Sequence, residues 1–365
     1  MSPNRIILHL DLDYFFAQVE ELRHPDSKGK PIVVCIYSGR TQDSGAVSTC
    51  NYVARKFGVK SGMPIIRAKK ILEGKDATFL RADHAYYANF SEQIMQILLK
   101  QVSISKFEQT SIDEAYLDLS EKSKGDYFKA KDLAQRIKKE ILEKIKLTCS
   151  VGIGPNKLIA KIASAQAKPN GLTMVKPNEV ETFLSYMEAD AIPGVGDKTK
   201  EALEGMSVRT ISDLRSIDPV ILVEKFGKKT GVFLYQASRG IDESIVQMSS
   251  EQKQISRIAT LKEDTRDINE IMELVNALAE DIAEELKANN LTFETVGINA
   301  IDSTIAMHTK SKTIMRASSD VEEIKKVAKE LYTELLSITT VNFRRAGVRV
   351  EKLESKKGQK TLGEF

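Results

Sequence analysis

The sequence predicts a multidomain α+β protein. Three observations carry this. Short apolar runs of strand character alternate with helically spaced apolar residues through most of the chain. A glycine-punctuated stretch over about 175–242 has helical spacing only, and a polar segment then leads into a second alternation of strands and helices. With 365 residues, 42% of them hydrophobic, the chain has material for roughly two to four cores of ordinary size.

Residues 6–12 read as a short buried strand that brings Asp11 to the start of a helix over 13–22, with Asp13 placed to cap it. Residues 30–37 read as a second strand, followed by a small-residue loop over 44–49 and a helix carrying Tyr52, Arg55 and Lys56. The spacing over 85–101 is helical, and 106–119 reads as two strands around the tight turn Ser111-Ile-Asp-Glu114. A long helix around Leu133, Ile137 and Ile141 leads to a strand over 148–153. Gly154-Pro155 then starts another helix, because proline suits a first helical position. The segments between Gly194, Gly196, Gly205, Gly227, Gly231 and Gly240 are short and helical, a small all-helical domain.

Residues 248–256 are polar, lack apolar periodicity and read as a linker. A small α+β domain follows: a strand, a helix with Ile268, Ile271, Val275, Leu278 and Ile282 on one face, strands through 292–317, a second helix and a last strand over 346–350. The final residues, 354–365, are polar and basic and do not fold alone.

The 54 basic and 51 acidic side chains leave a net charge of only +3, so an anionic partner must be held by local patches. No apolar run reaches the roughly 20 residues that span a bilayer, and MSPNRIILHLDLD lacks a signal-peptide pattern, so a soluble, cytoplasmic protein with no membrane partner is expected. Cys35, Cys50 and Cys149 form no CxxC pair and read as buried small apolar residues, neither a disulfide framework nor a zinc site. His9, His24, His84 and His308 are equally scattered, so a metal must be held by oxygen.

Asp113 and Glu114 are adjacent carboxylates at a turn, a pair that self-repels unless a cation or protons neutralise it. At a hairpin turn the alternation of strand faces breaks, so both can converge on one site, with Asp11 as a third oxygen donor. Three carboxylates and a triphosphate suit a pair of Mg²⁺ ions about 3.5–4 Å apart. Taken alone, acidic pairs at strand ends are usually just solvated; the surrounding motifs decide for chemistry.

In order, LDLDYFFAQVE (10–20), SGAVSTCNYVARKFGVKSGMP (44–64), SIDEAYLD (111–118), GIGPNKLIAKIAS (152–164) and AKPNG (167–171) resemble the Y-family lesion-bypass DNA polymerases, nearest their archaeal DNA polymerase IV branch. The motifs cover the chain to about residue 240, and the last domain matches by position and pattern. The resemblance implies a right-hand polymerase: palm 1–14 and 81–174, fingers 15–80, a helix-hairpin-helix-like thumb 175–242, a linker 243–252, a little finger 253–354 and a tail 355–365.

It also implies a site. Asp11, Asp113 and Glu114 would hold two Mg²⁺ ions, with the Leu12 carbonyl as a backbone ligand and Asp13 structural. Phe15, Phe16, Thr49, Tyr52, Arg55 and Lys168 would bind the dNTP, Tyr52 and Arg55 from one helix face at i and i+3. Phe16 would be the steric gate against a ribose 2′ hydroxyl, and Phe15 the core ring beside it. Ile36, Gly45 and Ala46 would cover the nascent base pair, leaving room for damaged templates at low fidelity. Gly194, Gly196, Lys253, Arg257, Arg344 and Arg345 would contact primer-template DNA, with Lys262, Lys310, Lys312 and Arg316 adding to a phosphate-facing surface. Gln359, Leu362 and Phe365 resemble the anchors of a peptide that docks on a PCNA-like sliding clamp, with one terminal aromatic where many have two. The implied enzyme is a monomer. A palm-type nucleotidyl cyclase or a non-catalytic DNA-binding or clamp-binding protein is the alternative, opposed by the thumb glycines, the basic last domain and the intact acids.

Overall fold

The computed structural model describes residues 5–248 and 252–355. In chain order, β1 (Ile7–Leu12), α1 (Phe15–Arg23), β2 (Ile32–Tyr37), β3 (Gly45–Cys50), α2 (Tyr52–Lys56), α3 (Ile65–Ile71) and β4 (Thr78–Arg81) come first. Next are α4 (His84–Leu99), β5 (Phe107–Gln109), β6 (Glu114–Asp118), α5 (Tyr127–Ile145), β7 (Cys149–Gly154), α6 (Lys157–Gln166) and β8 (Leu172–Met174). The helices α7 (Val180–Ser185), α8 (Asp197–Glu204), α9 (Ile211–Arg215) and α10 (Pro219–Ser238) follow. The last part runs β9 (Gln254–Thr265), α11 (Ile268–Ala288), β10 (Leu291–Asp302), β11 (Met307–Ser318), α12 (Val321–Ile338), β12 (Phe343–Glu351) and β13 (Glu354–Ser355). Chain contacts group the described residues into two units, one within Met1–Val34, Ser48–Ser61 and Ile71–Ser249, the other within Cys35–Val47, Gly62–Lys70 and Ser250–Phe365.

The first unit is built on a five-stranded sheet in the order β5-β6-β1-β7-β8. Its central strand β1 is buried along its whole length, as a continuous apolar run with neighbours on both sides must be. Strand alternation divides its side chains. Leu8, Leu10 and Leu12 enter a core with Tyr87 and Ile94 of α4 and Ile137 and Ile141 of α5. Ile7 packs on Ala160 of α6, and His9 bonds Ser164 of the same helix, so Asp11 shares the α6 side. The helices α7 to α10 enclose a second core with Leu203, Leu214, Leu222 and Leu234, which Ile159 and Ile162 of α6 join.

The second unit is a four-stranded sheet, β11-β10-β12-β9, with β13 added to β10 and a core shared with α11 and α12. A three-stranded sheet has the order β3-β2-β4. Short polar side chains start most of the longer helices: Asp83, Asp126, Asn156, Asp218, Asp267 and Asp320 each accept from a first-turn amide, and Asn51 does so for short α2. Each such cap contributes about 1 kcal/mol.

Four local expectations change. Residues 45–49, expected as loop, belong to β3. Pro155 precedes α6 rather than opening it; Asn156 is the cap because its side chain satisfies the Ile159 amide. Residues 254–256, assigned to the linker, begin β9 by pairing with β12. Within the remaining linker, Val246 is buried against Ile7, Tyr116 and Ala160, and the Gln247 amide donates to Glu108 at 3.2 Å, so a single apolar residue fastens a segment that has no periodicity to reveal it.

Candidate active site

Asp11 lies near the end of β1, with Glu114 of β6 and Ser150 of β7 as its cross-strand partners. Partners opposite one another share a sheet face, so two carboxylates stand side by side, an arrangement that needs positive charge. Asp113 sits one residue before β6. The Leu12 amide donates to its carbonyl at 3.0 Å and Ser111 Oγ donates to its carboxylate at 2.6 Å, which fastens the acidic turn to the end of β1. All three carboxylates line one cavity of about 310 Å³, together with Leu12, Phe15, Phe16, Thr49, Arg55 and Lys168.

Two lysines supply the positive charge. Lys168 Nζ is 2.5 Å from Asp11 Oδ1, and Lys161 Nζ is 2.5 Å from Glu114 Oε2. Burial pushes the Asp11 carboxyl up to about 7, with Lys168 pulling against it. His9, 3.8 Å away, and Lys161 hold Glu114 well below the usual carboxylate range. Burial lowers the His9 pKa; Nδ1 is 2.7 Å from Ser164 Oγ, and Nε2 is buried with no hydrogen-bond partner among the described residues.

The donor set suits a metal by its chemistry rather than by its present spacing. Among the described residues no three His, Cys, Asp or Glu side chains are already gathered at metal-holding distance. Asp11 and Glu114 each hold a lysine cation instead. Three carboxylates on one cavity, two of them able to exchange an ammonium for another cation, suit a hard divalent ion.

The opposite charge on the cavity comes from Arg55 and Lys168. Asn51 caps α2 through the Ala54 amide, which orients Tyr52 and Arg55. The Arg55 guanidinium lies over the Tyr52 ring, 4.9 Å from its centroid, and Nε donates to the Cys50 carbonyl at 3.1 Å. Tyr52 Oη is buried with no hydrogen-bond partner among the described residues, an orphaned polar atom beside the site, and burial raises its phenol. Ser48 and Ser61 add hydroxyls to the lining.

Asp13 does not cap α1. The capping position is Tyr14, in the left-handed region at φ 36°, without a side-chain cap. The fully buried Asp13 carboxylate instead accepts from Ser150 Oγ at 2.7 Å, Thr148 Oγ1 at 2.8 Å and the Asn170 amide at 2.8 Å. It therefore ties β7 to the loop that carries Lys168. Both rings line the cavity; Phe15 is otherwise buried in the core, and the Phe16 ring is stacked on Tyr87.

Other expected residues lie elsewhere. Ile36, Gly45 and Ala46 belong to the second unit, where a Cβ on Gly45 would meet the Ile36 carbonyl at 2.1 Å. Gly194 has φ 96°, and Gly196, at the cap of α8, has open space where a Cβ would be. Lys253 is exposed just before β9. Arg257 pairs with Glu285 of α11 at 2.5 Å, on the helix side of its sheet, and Arg344 is 3.4 Å from Asp264. Arg345 is opposite Thr260 and Ile301, on the side away from the helices. Gln359, Leu362 and Phe365 lie outside the described residues. Sequence reasoning misses His9 and Lys161. His9 is detectable as the residue two before Asp11 on the same strand face; Lys161 gives no local sign.

The impB/mucB/samB family model matches residues 10–165, its C-terminal-domain model residues 252–362, and a DNA polymerase-iota thumb-domain model residues 190–242. DNA polymerase IV of Nitrosopumilus maritimus (strain SCM1) is 43% identical over 362 residues, 99% of each chain. DNA polymerase IV of Methanosarcina acetivorans is 44% identical over 365 residues, again 99% of each. A solved Y-family DNA polymerase chimera, Dbh-Dpo4(243-245)-Dbh, matches with a TM-score of 0.88 at 38% identity, over 96% of this chain and 99% of its own. The chain belongs to the Y family of DNA polymerases. An insertion ternary complex of Dbh DNA polymerase matches with a TM-score of 0.68 at 38% identity, over 95% of this chain and 98% of the other. This Y-family polymerase is a DNA-directed DNA polymerase of the translesion class, and divalent-metal dependence goes with the family. Among its described residues no helix is long and apolar enough to cross a membrane.

Proposed function

We propose that the cavity at the end of β1 is the nucleotidyl-transfer site, with Asp11, Asp113 and Glu114 holding two Mg²⁺ ions and the Leu12 carbonyl as a further ligand. The observation that carries this is the meeting of three carboxylates from two separate chain segments with Arg55 and Lys168 on one cavity. When bound, the ions supply activation of the primer 3′ hydroxyl and balance the charge that develops on the transferring phosphate. The chain's own residues position the reactants. Arg55, with Tyr52 and Thr49, grips the triphosphate of the incoming dNTP, and Lys168 turns from Asp11 to the same oxygens. Asp13 holds the loop from which Lys168 reaches. Phe16 excludes a 2′ hydroxyl, with Phe15 packed behind it. Ile36, Gly45 and Ala46 cover the new base pair, and the small volume of Gly45 and Ala46 is proposed to leave room for damaged templates, although at Gly45 the missing Cβ lies toward the Ile36 carbonyl.

Primer-template DNA is held by the backbone at Gly194 and Gly196 and by Lys253, Arg344 and Arg345, through sequence-independent, salt-sensitive contacts, and Arg257 joins them only by exchanging Glu285 for a phosphate. Gln359, Leu362 and Phe365 dock a cytoplasmic, monomeric enzyme on a PCNA-like clamp. The deciding experiment is extension of a labelled primer past an abasic site with Mg²⁺ and each dNTP or NTP, comparing wild type with Glu114→Ala. Metal-dependent, dNTP-selective extension that disappears in the variant is expected; activity surviving the substitution would sink the site.

A further inference from the structure

Phe16 and Glu20 stand at i and i+4 on α1, so they face the same side. Tyr87, in the first turn of α4, meets both. Its ring lies 4.4 Å from the Phe16 ring at an interplanar angle of 20°, while its hydroxyl donates to Glu20 Oε1 at 2.7 Å. Tyr87 is fully buried and Glu20 only 2% exposed. His24 Nε2 lies 3.2 Å from Glu20 Oε2, and Arg23, at 3.8 Å, supplies positive charge beside this carboxylate. His84 closes on Phe16 edge-on at 5.4 Å.

This is more than core filling. A phenylalanine at position 87 and an aliphatic residue at 20 would fill the same space without burying a carboxylate, which is costly unless it is hydrogen-bonded and paired. What the polar pair adds is direction. A hydrogen bond fixes where the Tyr87 ring lies between α1 and α4, and a stacked neighbour fixes the plane of the Phe16 ring. Burial, with Glu20 accepting, keeps the Tyr87 phenol protonated and so a donor. Of the rings in this group, Phe16 lines the cavity while Tyr87 stands behind it. A ring that discriminates by exclusion works only if it cannot yield, because a gate that swings aside admits the larger sugar.

We propose that Tyr87, aimed by Glu20, is the positioning residue of the sugar gate, so that selection against ribonucleotides depends on the Glu20–Tyr87 hydrogen bond. This rests on the reading of Phe16 as the gate. The test measures kcat/KM for dCTP and for CTP opposite a template G, in the full chain, for Phe16→Ala, Tyr87→Leu, Tyr87→Phe, Glu20→Leu and Glu20→Gln. Phe16→Ala is expected to reduce the dCTP/CTP ratio about a hundredfold. Tyr87→Leu is expected to reduce it about tenfold, and Tyr87→Phe and Glu20→Leu about fivefold, while dCTP kcat/KM stays within about threefold. Glu20→Gln keeps an acceptor for Tyr87 and retains the wild-type ratio.

If Phe16→Ala relaxes selectivity while Tyr87→Leu and Glu20→Leu hold the wild-type ratio, the inference is overturned and the gate stands alone. If Phe16→Ala leaves the ratio unchanged, the gate reading itself fails and the inference goes with it. Equal losses for dCTP and CTP in the Tyr87 and Glu20 variants, with a lowered unfolding temperature, would mark a merely structural pair and also overturn it.

Discussion

In the five-stranded sheet, Asp11 and Glu114 face each other across neighbouring strands and each takes its counter-charge from outside the sheet, Lys168 from a loop and Lys161 from α6. In the four-stranded sheet three cations take their partners from the helices packed on it, while Arg344 and Arg349 pair within the sheet, with Asp264 and Glu351. Lys310 and Lys312 of β11 pair with Glu334 and Glu330 of α12, and Arg257 of β9 with Glu285 of α11. Register explains the second pattern. Lys310 and Lys312 are opposite Ile298 and Val296, and Arg257 opposite Val348, all core residues, so these three cations point to the helix side. Arg345 and Arg349, with Gly297, Asn299, Gly347 and Ser256, point to the other face. A charge therefore serves a ligand according to what already holds it. The acids are held by two long-stemmed lysines that a substrate or metal can displace, whereas several basic residues of the last unit are held by acids of their own domain.

The largest effect is expected of Asp11→Asn. Single-nucleotide insertion should fall by about a thousandfold, since the site would lose one of the three carboxylates that would hold the ions; retention of more than a tenth of wild-type activity would remove Asp11 from the site. Lys168→Ala should lower kcat/KM for the dNTP about 10- to 100-fold, the worth of a charge-assisted contact. A metal titration sharpens the role of its neighbour. Lys161→Met removes a competitor for Glu114, so half-saturation should come at a Mg²⁺ concentration about two- to fivefold lower; a higher concentration would mean that Lys161 does more than balance charge.

DNA binding as a function of salt separates the two faces of the last sheet. Arg345→Ala should reduce the slope of log affinity against log salt by about 1, and Lys312→Ala should leave it unchanged. Equal slopes for the two variants would erase the distinction drawn from register.

The smallest effect concerns Asp302, whose carboxylate accepts from His308 and from the Thr304 and Ala306 amides in the turn between β10 and β11. His308 and then Thr304 hold it well below the ordinary 3.8. A lowered folded value means that the stabilisation is complete above the unfolded value and fades as pH falls below it. The unfolding temperatures of wild type and Asp302→Asn should therefore differ most near neutral pH and converge as pH drops below 3.8. A constant gap would show that the turn does not depend on the ionised form.

Much of the site is legible in the sequence because its parts are local. The apolar run 6–12 implies a buried strand, the acidic turn follows directly on β5, and Tyr52 with Arg55 occupies one face of one helical turn. Asp13 misleads for the same reason that Asp11 informs. Local pattern suggests a helix cap, but its three donors come from Thr148, Ser150 and Asn170, more than a hundred residues on. Val246 escapes notice because one buried residue carries no period.

Residue order alone sets which residue types stand at the strand ends and turns, hence the three carboxylates, the family they mark and the alternation of elements that carries them. Packing between elements chooses which cation each acid holds, which arginines and lysines of the last sheet are taken by α11 and α12, and that the Phe16 ring is backed by Tyr87 and Glu20. The physical reason is that periodicity sets the direction of a side chain relative to its own element, whereas the partner it meets there is brought by another element, 157 residues away in the case of Asp11 and Lys168.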